Sequence, residues 1–154
     1  MSVNEDVAVE KAPGVECSPA DDALAAQWHR LMRDYARMTC SLDRALSAHG
    51  LTSSEFEVLE QLARANANDS GKVRMSDLAD HVHLSQSALS RLVARLEKNG
   101  LATRSMCESD RRSVFTAITD AGQDRYDAAR PTQRTVLRAE SAECEMRDYL
   151  CGEE

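Results

Sequence analysis

Gln86, Ser87, Ser90, Arg91 and Ala94 share one side of a segment in which each residue advances by 100°, and Ala88, Leu89, Leu92, Val93 and Leu96 share the other. The apolar side can pack on a partner element. The polar side offers one amide, two hydroxyls and one guanidinium, with small side chains between them. Such a face can approach the edges of DNA bases closely. A Gln amide matches the donor and acceptor of adenine, and an Arg matches guanine or holds a phosphate. The competing reading is a solvated face of a core helix, although that face more often carries several Glu and Lys. A second cluster, Asp110, Arg111 and Arg112, lies about twenty residues further on. An Arg at a hairpin tip can enter a narrow minor groove, where negative potential concentrates. A neighbouring Asp can orient the guanidinium through paired hydrogen bonds. In isolation a charged turn without a partner is the commoner case; its position one hairpin beyond a reading face favours the functional interpretation.

Other chemistries find less support. No glycine-rich phosphate loop, HExxH or GxSxG occurs, and the acidic pairs are scattered, so an enzyme is not expected. His81 and His83 are two apart; on a helix they diverge by about 200° and cannot share an ion, so no metal and no cofactor are assigned. Five cysteines occur, at 17, 40, 107, 144 and 151, with no CxxC pair. The odd count and the lack of an export signal point to a reducing cytoplasm without a disulfide framework. Cys40 and Cys144 fall on helical stretches and are expected to be buried. Cys107 stands near Arg104, Arg111 and Arg112, which would favour its thiolate, and near Glu108 and Asp110, which would oppose it. It is the one candidate for redox sensing.

These residues need elements to position them. Leu24, Trp28, Leu31, Tyr35, Met38, Leu42 and Ala45 recur at spacings of four and three, which predicts one long helix closed by Gly50. That stripe is a core face, an oligomer seam or both. Thr52 and Glu55 have capping-box spacing before a second helix with Phe56, Leu59 and Leu62. A short helix is expected over 76–83, a turn at Leu84 and Ser85 with Ser85 as N-cap, and a further helix over 86–99 stopped by Gly100. Extended runs over 101–106 and 113–118 make a hairpin through the polar segment 107–112. Thr119 to Gly122 opens a last helical region that Pro131 should kink or divide, and 141–150 reads as a final short helix. Two helices joined by a tight turn and followed by a hairpin form a winged helix-turn-helix. The fold class is therefore mainly α with a small β-hairpin wing.

The composition agrees. The chain has 154 residues, 4% aromatic, with six Gly and three Pro, which disfavours a β-sandwich and leaves little material for base-stacking platforms. No run of 18 apolar residues is present, so no membrane span is expected. The net charge of −7 is unevenly spread: residues 72–112 hold eight Lys or Arg against five acids, a balance of +3, and the remainder carries −10. A basic module in an acidic body suits contact with a polyanion through one part only.

Three stretches carry a family resemblance. The run Met75 to Leu101 (MSDLADHVHLSQSALSRLVARLEKNGL), the run Asp110 to Gly122 (DRRSVFTAITDAG) and the run Gly50 to Leu59 (GLTSSEFEVL) resemble, in that order, the reading region, the wing and the second helix of the MarR family of transcription regulators. The resemblance covers roughly residues 24–150. It implies a repressor-type regulator that binds a pseudo-palindromic double-stranded DNA operator as a homodimer in the cytoplasm. Carried over by position, Ser85, Gln86, Ser87, Ser90 and Arg91 would meet the major groove, and Arg112, steadied by Asp110, the minor groove. The corresponding organisation is a flexible tail over 1–20, a dimerisation helix over 21–50, the DNA-binding region over 51–122 and C-terminal dimerisation helices over 123–154. A small-molecule effector is expected between the dimer helices and the reading lobe, with Trp28, His29, Met32, Arg33 and His49 as lining candidates. Met and Trp at helical spacing are more often plain core. The alternatives are a redox regulator acting through Cys107, and a winged helix that binds protein rather than DNA.

Overall fold

The computed structural model of the chain describes residues 17–68, 70–106 and 113–143. The elements in order are α1 (Pro19–Leu46), a 3-10 turn (Ser47–His49), α2 (Ser53–Ala67), β1 (Val73–Arg74), α3 (Met75–His81), α4 (Gln86–Lys98), β2 (Ala102–Met106), β3 (Val114–Ile118) and α5 (Asp120–Glu143). The chain divides into two compact units, residues 1–33 and 34–154. Among the described residues no helix is long and apolar enough to cross a membrane.

In the first unit, Ser18 and Asp21 start α1. The Ser18 N–H donates to Asp21 Oδ2 at 2.7 Å, and the Asp21 N–H donates back to Ser18 Oγ at 3.3 Å. This reciprocal cap, with Pro19 at the first helical position, begins the helix two residues before position 21, where it was expected to start. The backbone and hydroxyl donors of Ser18 hold the Asp21 carboxyl below its usual pKa. Leu24, Trp28 and Met32 are exposed on this part of the helix.

The second unit holds the core. Leu46, Phe56, Leu59 and Leu62 pack with Leu78, Leu89, Val93, Leu96 and Leu101, all 4% exposed or less. The capping box forms as expected: Thr52 Oγ1 accepts from the Glu55 N–H, and Glu55 accepts from the Thr52 N–H at 2.9 Å. Gly100, at φ +71, reverses the chain after α4, so that the Leu101 N–H reaches the Leu96 carbonyl at 2.8 Å. The sheet is antiparallel in the order β1-β3-β2. Its register pairs Arg74 with Phe115, Ser105 with Phe115, and Met106 with Val114. Strand β1 was not expected; two residues carry no alternation signal, and their partner lies some forty positions away.

The C-terminal helix differs from expectation. Pro131 does not divide it: α5 runs unbroken from Asp120 to Glu143. A proline ring already has helical φ, and the carbonyl that loses its donor belongs to Asp127, which is exposed to water. Thr135 Oγ1 also donates to the Pro131 carbonyl at 2.9 Å. Ser141 therefore continues α5 instead of opening a separate helix, and residues 144–150 lie outside the described residues. Residues α2 and α5 share are tied by a polar contact: Glu60, 5% exposed, accepts from the Tyr126 hydroxyl at 3.2 Å and from the Arg134 guanidinium, with Arg64 3.6 Å away. Burial first, then the Glu60 charge and its hydrogen bond, raise the Tyr126 pKa above its ordinary value.

Candidate nucleic-acid interface

Helix α4 is built to be anchored on one side and open on the other. Ser85 has extended backbone, and its Oγ accepts from the Ala88 N–H at 3.2 Å, capping the helix. That bond uses an oxygen lone pair, so the hydroxyl hydrogen remains available to Ser87 Oγ, 3.3 Å away, or to a phosphate. Leu89, Leu92, Val93 and Leu96 are buried, while Gln86, Ser87, Ser90, Arg91 and Ala94 are exposed. The two faces inferred from periodicity are thus the two faces present.

The arginines of this lobe are used differently. Arg95 pairs with the buried Glu55 at 3.1 Å and fixes α4 to the start of α2. Arg104 grips Glu97: its Nε and Nη2 each lie 2.7 Å from Oε2, and its backbone N–H donates to Oε1 at 2.9 Å. These bonds fix β2 against the end of α4. Arg91 has no ion-pair partner among the described residues and projects from the open face. Gln86 and Ser90 line a cleft of about 400 Å³ whose other walls include Arg74, Ser76 and Arg104. This juxtaposes one end of α4, the start of α3 and residues of all three strands.

Asp110, Arg111, Arg112 and Cys107 lie outside the described residues; the strands on either side of them pair Met106 with Val114. Two further side chains near the wing were missed by sequence reasoning. Lys72 Nζ stands 4.8 Å from the centroid of the Phe115 ring, and the Arg74 guanidinium 5.5 Å. The alternation Lys-Val-Arg was the available signal, but nothing local says which ring it meets.

The proposed effector residues divide between the two units. Trp28, His29, Met32 and Arg33 belong to the first unit and are exposed. His49 is in the second, where Nε2 lies 2.8 Å from Thr132 Oγ1 and its carbonyl accepts from Arg125 at 2.8 Å. A different cleft, about 480 Å³, is lined by Tyr35, Leu42 and Leu46 of α1, Phe56 of α2, and His81 and His83 beside the α3–α4 turn. The expectation of helix through His83 is corrected here. Helix α3 ends at His81, Val82 is its C-cap, and His83 takes φ +53 so the chain can turn toward α4. The divergence argued for a helical pair therefore does not apply, and both imidazoles line one cleft. Among the described residues no group of three His, Cys, Asp or Glu could hold a metal ion. Cys40 is exposed and not buried, because α1 turns Met38 and Leu46 inward instead; Cys144 lies outside the described residues.

Comparison with known proteins bears on this geometry. The sequence model of the MarR family matches residues 51–114. The HTH-type transcriptional regulator MhqR of Bacillus subtilis is 29% identical over 92 residues, 60% of this chain and 60% of that protein. PecS of Dickeya dadantii, also an HTH-type transcriptional regulator, is 33% identical over 82 residues, 53% of this chain and 48% of that protein. The matches thus span between about half and three-fifths of these curated relatives. Among solved structures, AbsC, a MarR family transcriptional regulator from Streptomyces coelicolor, is 27% identical, with 84% of each chain covered and a TM-score of 0.69. Sco3205 from the same organism, a MarR family regulator solved in complex with DNA, is 28% identical, with 86% of this chain and 80% of that one covered and a TM-score of 0.72.

Proposed function

We propose that this chain is a member of the MarR family and a sequence-specific, double-stranded DNA-binding transcription regulator of the repressor type, acting in the cytoplasm. The observation that carries this reading is the open face of α4. In a chain of net charge −7, its exposed residues include Gln86, Ser87, Ser90 and Arg91, which has no ion-pair partner among the described residues, and the one acid of the helix, Glu97, is neutralised by Arg104. Gln86, Ser87, Ser90 and Arg91 read base edges or hold phosphates in the major groove. Ser85 contributes its hydroxyl hydrogen to the backbone. Arg111 and Arg112, with Asp110, reach the adjacent minor groove.

One reading helix spans only a few base pairs, so we infer that the regulator works as a homodimer on a two-fold operator. Support comes from Leu24, Trp28 and Tyr35, which stand 57–65% exposed at spacings of four and seven on α1. Apolar side chains in such a stripe gain by meeting a second copy. Light scattering at micromolar concentration should give a dimer; a monomer removes this part of the reading. A small effector in the cleft beside the α3–α4 turn would touch the residues just before Ser85. It would thereby change the angle at which α4 leaves the core.

The deciding experiment is selection from random duplexes, followed by titration against selected and scrambled DNA. The selected sites should be pseudo-palindromic. Gln86→Ala and Ser90→Ala should relax preference more than they reduce total affinity, and Arg112→Ala should weaken binding severalfold while the fold survives. Negligible duplex binding at low salt would end the proposal and favour a protein-binding winged helix.

A further inference from the structure

We propose that Lys72 and Arg74, steered by Phe115, form a phosphate-binding pair that clamps the DNA backbone beside the reading helix. This inference rests on the regulator reading and names a contact that neither the reading face nor the wing-tip arginines supply. Three observations meet at this place. Both cations lie within 5.5 Å of one aromatic ring, Lys72 Nζ at 4.8 Å and Arg74 at 5.5 Å. Arg74 is the direct cross-strand partner of Phe115, and Lys72, just before the strand, brings its ammonium to the same ring. Arg74 also lines the cleft that contains Gln86 and Ser90, so the pair borders the surface that would face a base step.

The choice of partner is informative. Arg95 and Arg104 are neutralised by Glu55 and Glu97 and serve the fold. Lys72 and Arg74 are exposed and have no acidic partner among the described residues. An aromatic ring orders a cation without cancelling its charge. A guanidinium that rests near a ring keeps its N–H edge free, and that edge has the geometry to hold phosphate oxygens. The arrangement therefore fixes two positive charges in position and leaves both available to a polyanion. Because the backbone is alike at every base pair, the contact adds affinity and register without sequence preference.

The test is the salt dependence of duplex binding, measured for the full chain and for Lys72→Ala, Arg74→Ala, the double variant, Arg74→Lys and Phe115→Leu. Each is titrated against the selected site and a scrambled duplex. Each lost phosphate contact should reduce the slope of log K against log salt by about 0.9, and lower affinity about eightfold at 0.1 M salt. The losses should be equal on the two duplexes, with Arg74→Lys restoring most of the slope. Phe115→Leu should lose part of the same slope, since it frees the cations without removing them. Thermal midpoints confirm folding, and Lys72→Ala, at an exposed site outside any helix or strand, keeps the test open if Phe115→Leu unfolds. A steep wild-type slope left unchanged by the double variant overturns the pair and spares the regulator reading. A loss confined to the selected site also overturns it, because that is base reading. A wild-type protein that does not bind duplex overturns both.

Discussion

Gly122→Ala sets two effects of opposite sign against each other, at the junction that fixes the wing to the last helix. In an unobstructed helix the change is stabilising, by up to about 1 kcal/mol, because Gly loses more backbone freedom on folding. Here a Cβ on residue 122 would stand 2.0 Å from the Leu101 carbonyl oxygen, 2.9 Å from Ile118 Cγ1 and 3.0 Å from the Leu101 carbonyl carbon. Ordinary contact needs about 3.5 Å, so α5 would have to retreat by more than about 1 Å. Retreat strains a linked set of bonds. The Gly122 N–H donates to Thr119 Oγ1 at 3.0 Å, that hydroxyl donates to the Gly100 carbonyl at 2.6 Å, and the Thr119 N–H donates to the Leu101 carbonyl at 3.1 Å. Overpacking costs about 1–3 kcal/mol, and each weakened hydrogen bond about 1 kcal/mol. After the propensity gain, the net loss is about 2–3 kcal/mol, or roughly 5–10 °C in Tm for a domain of this size. Thermal unfolding followed by circular dichroism at 222 nm reads the sign directly. Ala121→Gly, at the exposed neighbouring position, calibrates propensity alone and should lower Tm slightly. A Gly122→Ala protein that melts at or above the wild-type temperature would falsify the claim that close approach to Leu101 selects glycine.

Three other outcomes follow from the same contacts. Ser85→Ala removes the cap of α4 and should cost about 1 kcal/mol, whereas Ser85→Asp should keep the cap and stability yet bind duplex DNA more weakly, through repulsion of phosphates; equal DNA affinity for the two variants would contradict the placement of Ser85 against the backbone. Tyr126 keeps its proton to higher pH when folded than when unfolded, so its contribution is complete below about pH 10, the unfolded value, and is lost as pH rises through the folded one. Urea midpoints from pH 8 to 11.5 should therefore show the advantage of wild type over Tyr126→Phe shrinking at the alkaline end; a constant gap would contradict the Glu60 contact. Glu60→Ala should destabilise by about 2–4 kcal/mol, since Arg134 and the Tyr126 hydroxyl lose a shared acceptor, and Glu60→Gln by less, as judged by chemical unfolding.

Much of this protein is written in local sequence. Helix α4, its Ser85 cap, the Thr52–Glu55 box and the reversal at Gly100 depend on residues at most five apart, so periodicity and capping chemistry predict them directly. The open face of α4 follows for the same reason: a helix that turns Leu89, Leu92, Val93 and Leu96 inward must turn Gln86, Ser87, Ser90 and Arg91 outward. Tertiary structure decided what depends on distant partners. It paired Val73 and Arg74 with β3, brought Lys72 and Arg74 to Phe115, and buried Glu60 among residues some seventy positions away. It also carried α5 through Pro131 and broke α3 before His83. A proline's missing donor costs least where the orphaned carbonyl belongs to an exposed residue such as Asp127, and a helix stops where the next one must be reached. Both conditions are set by packing, and no window of neighbouring residues contains them.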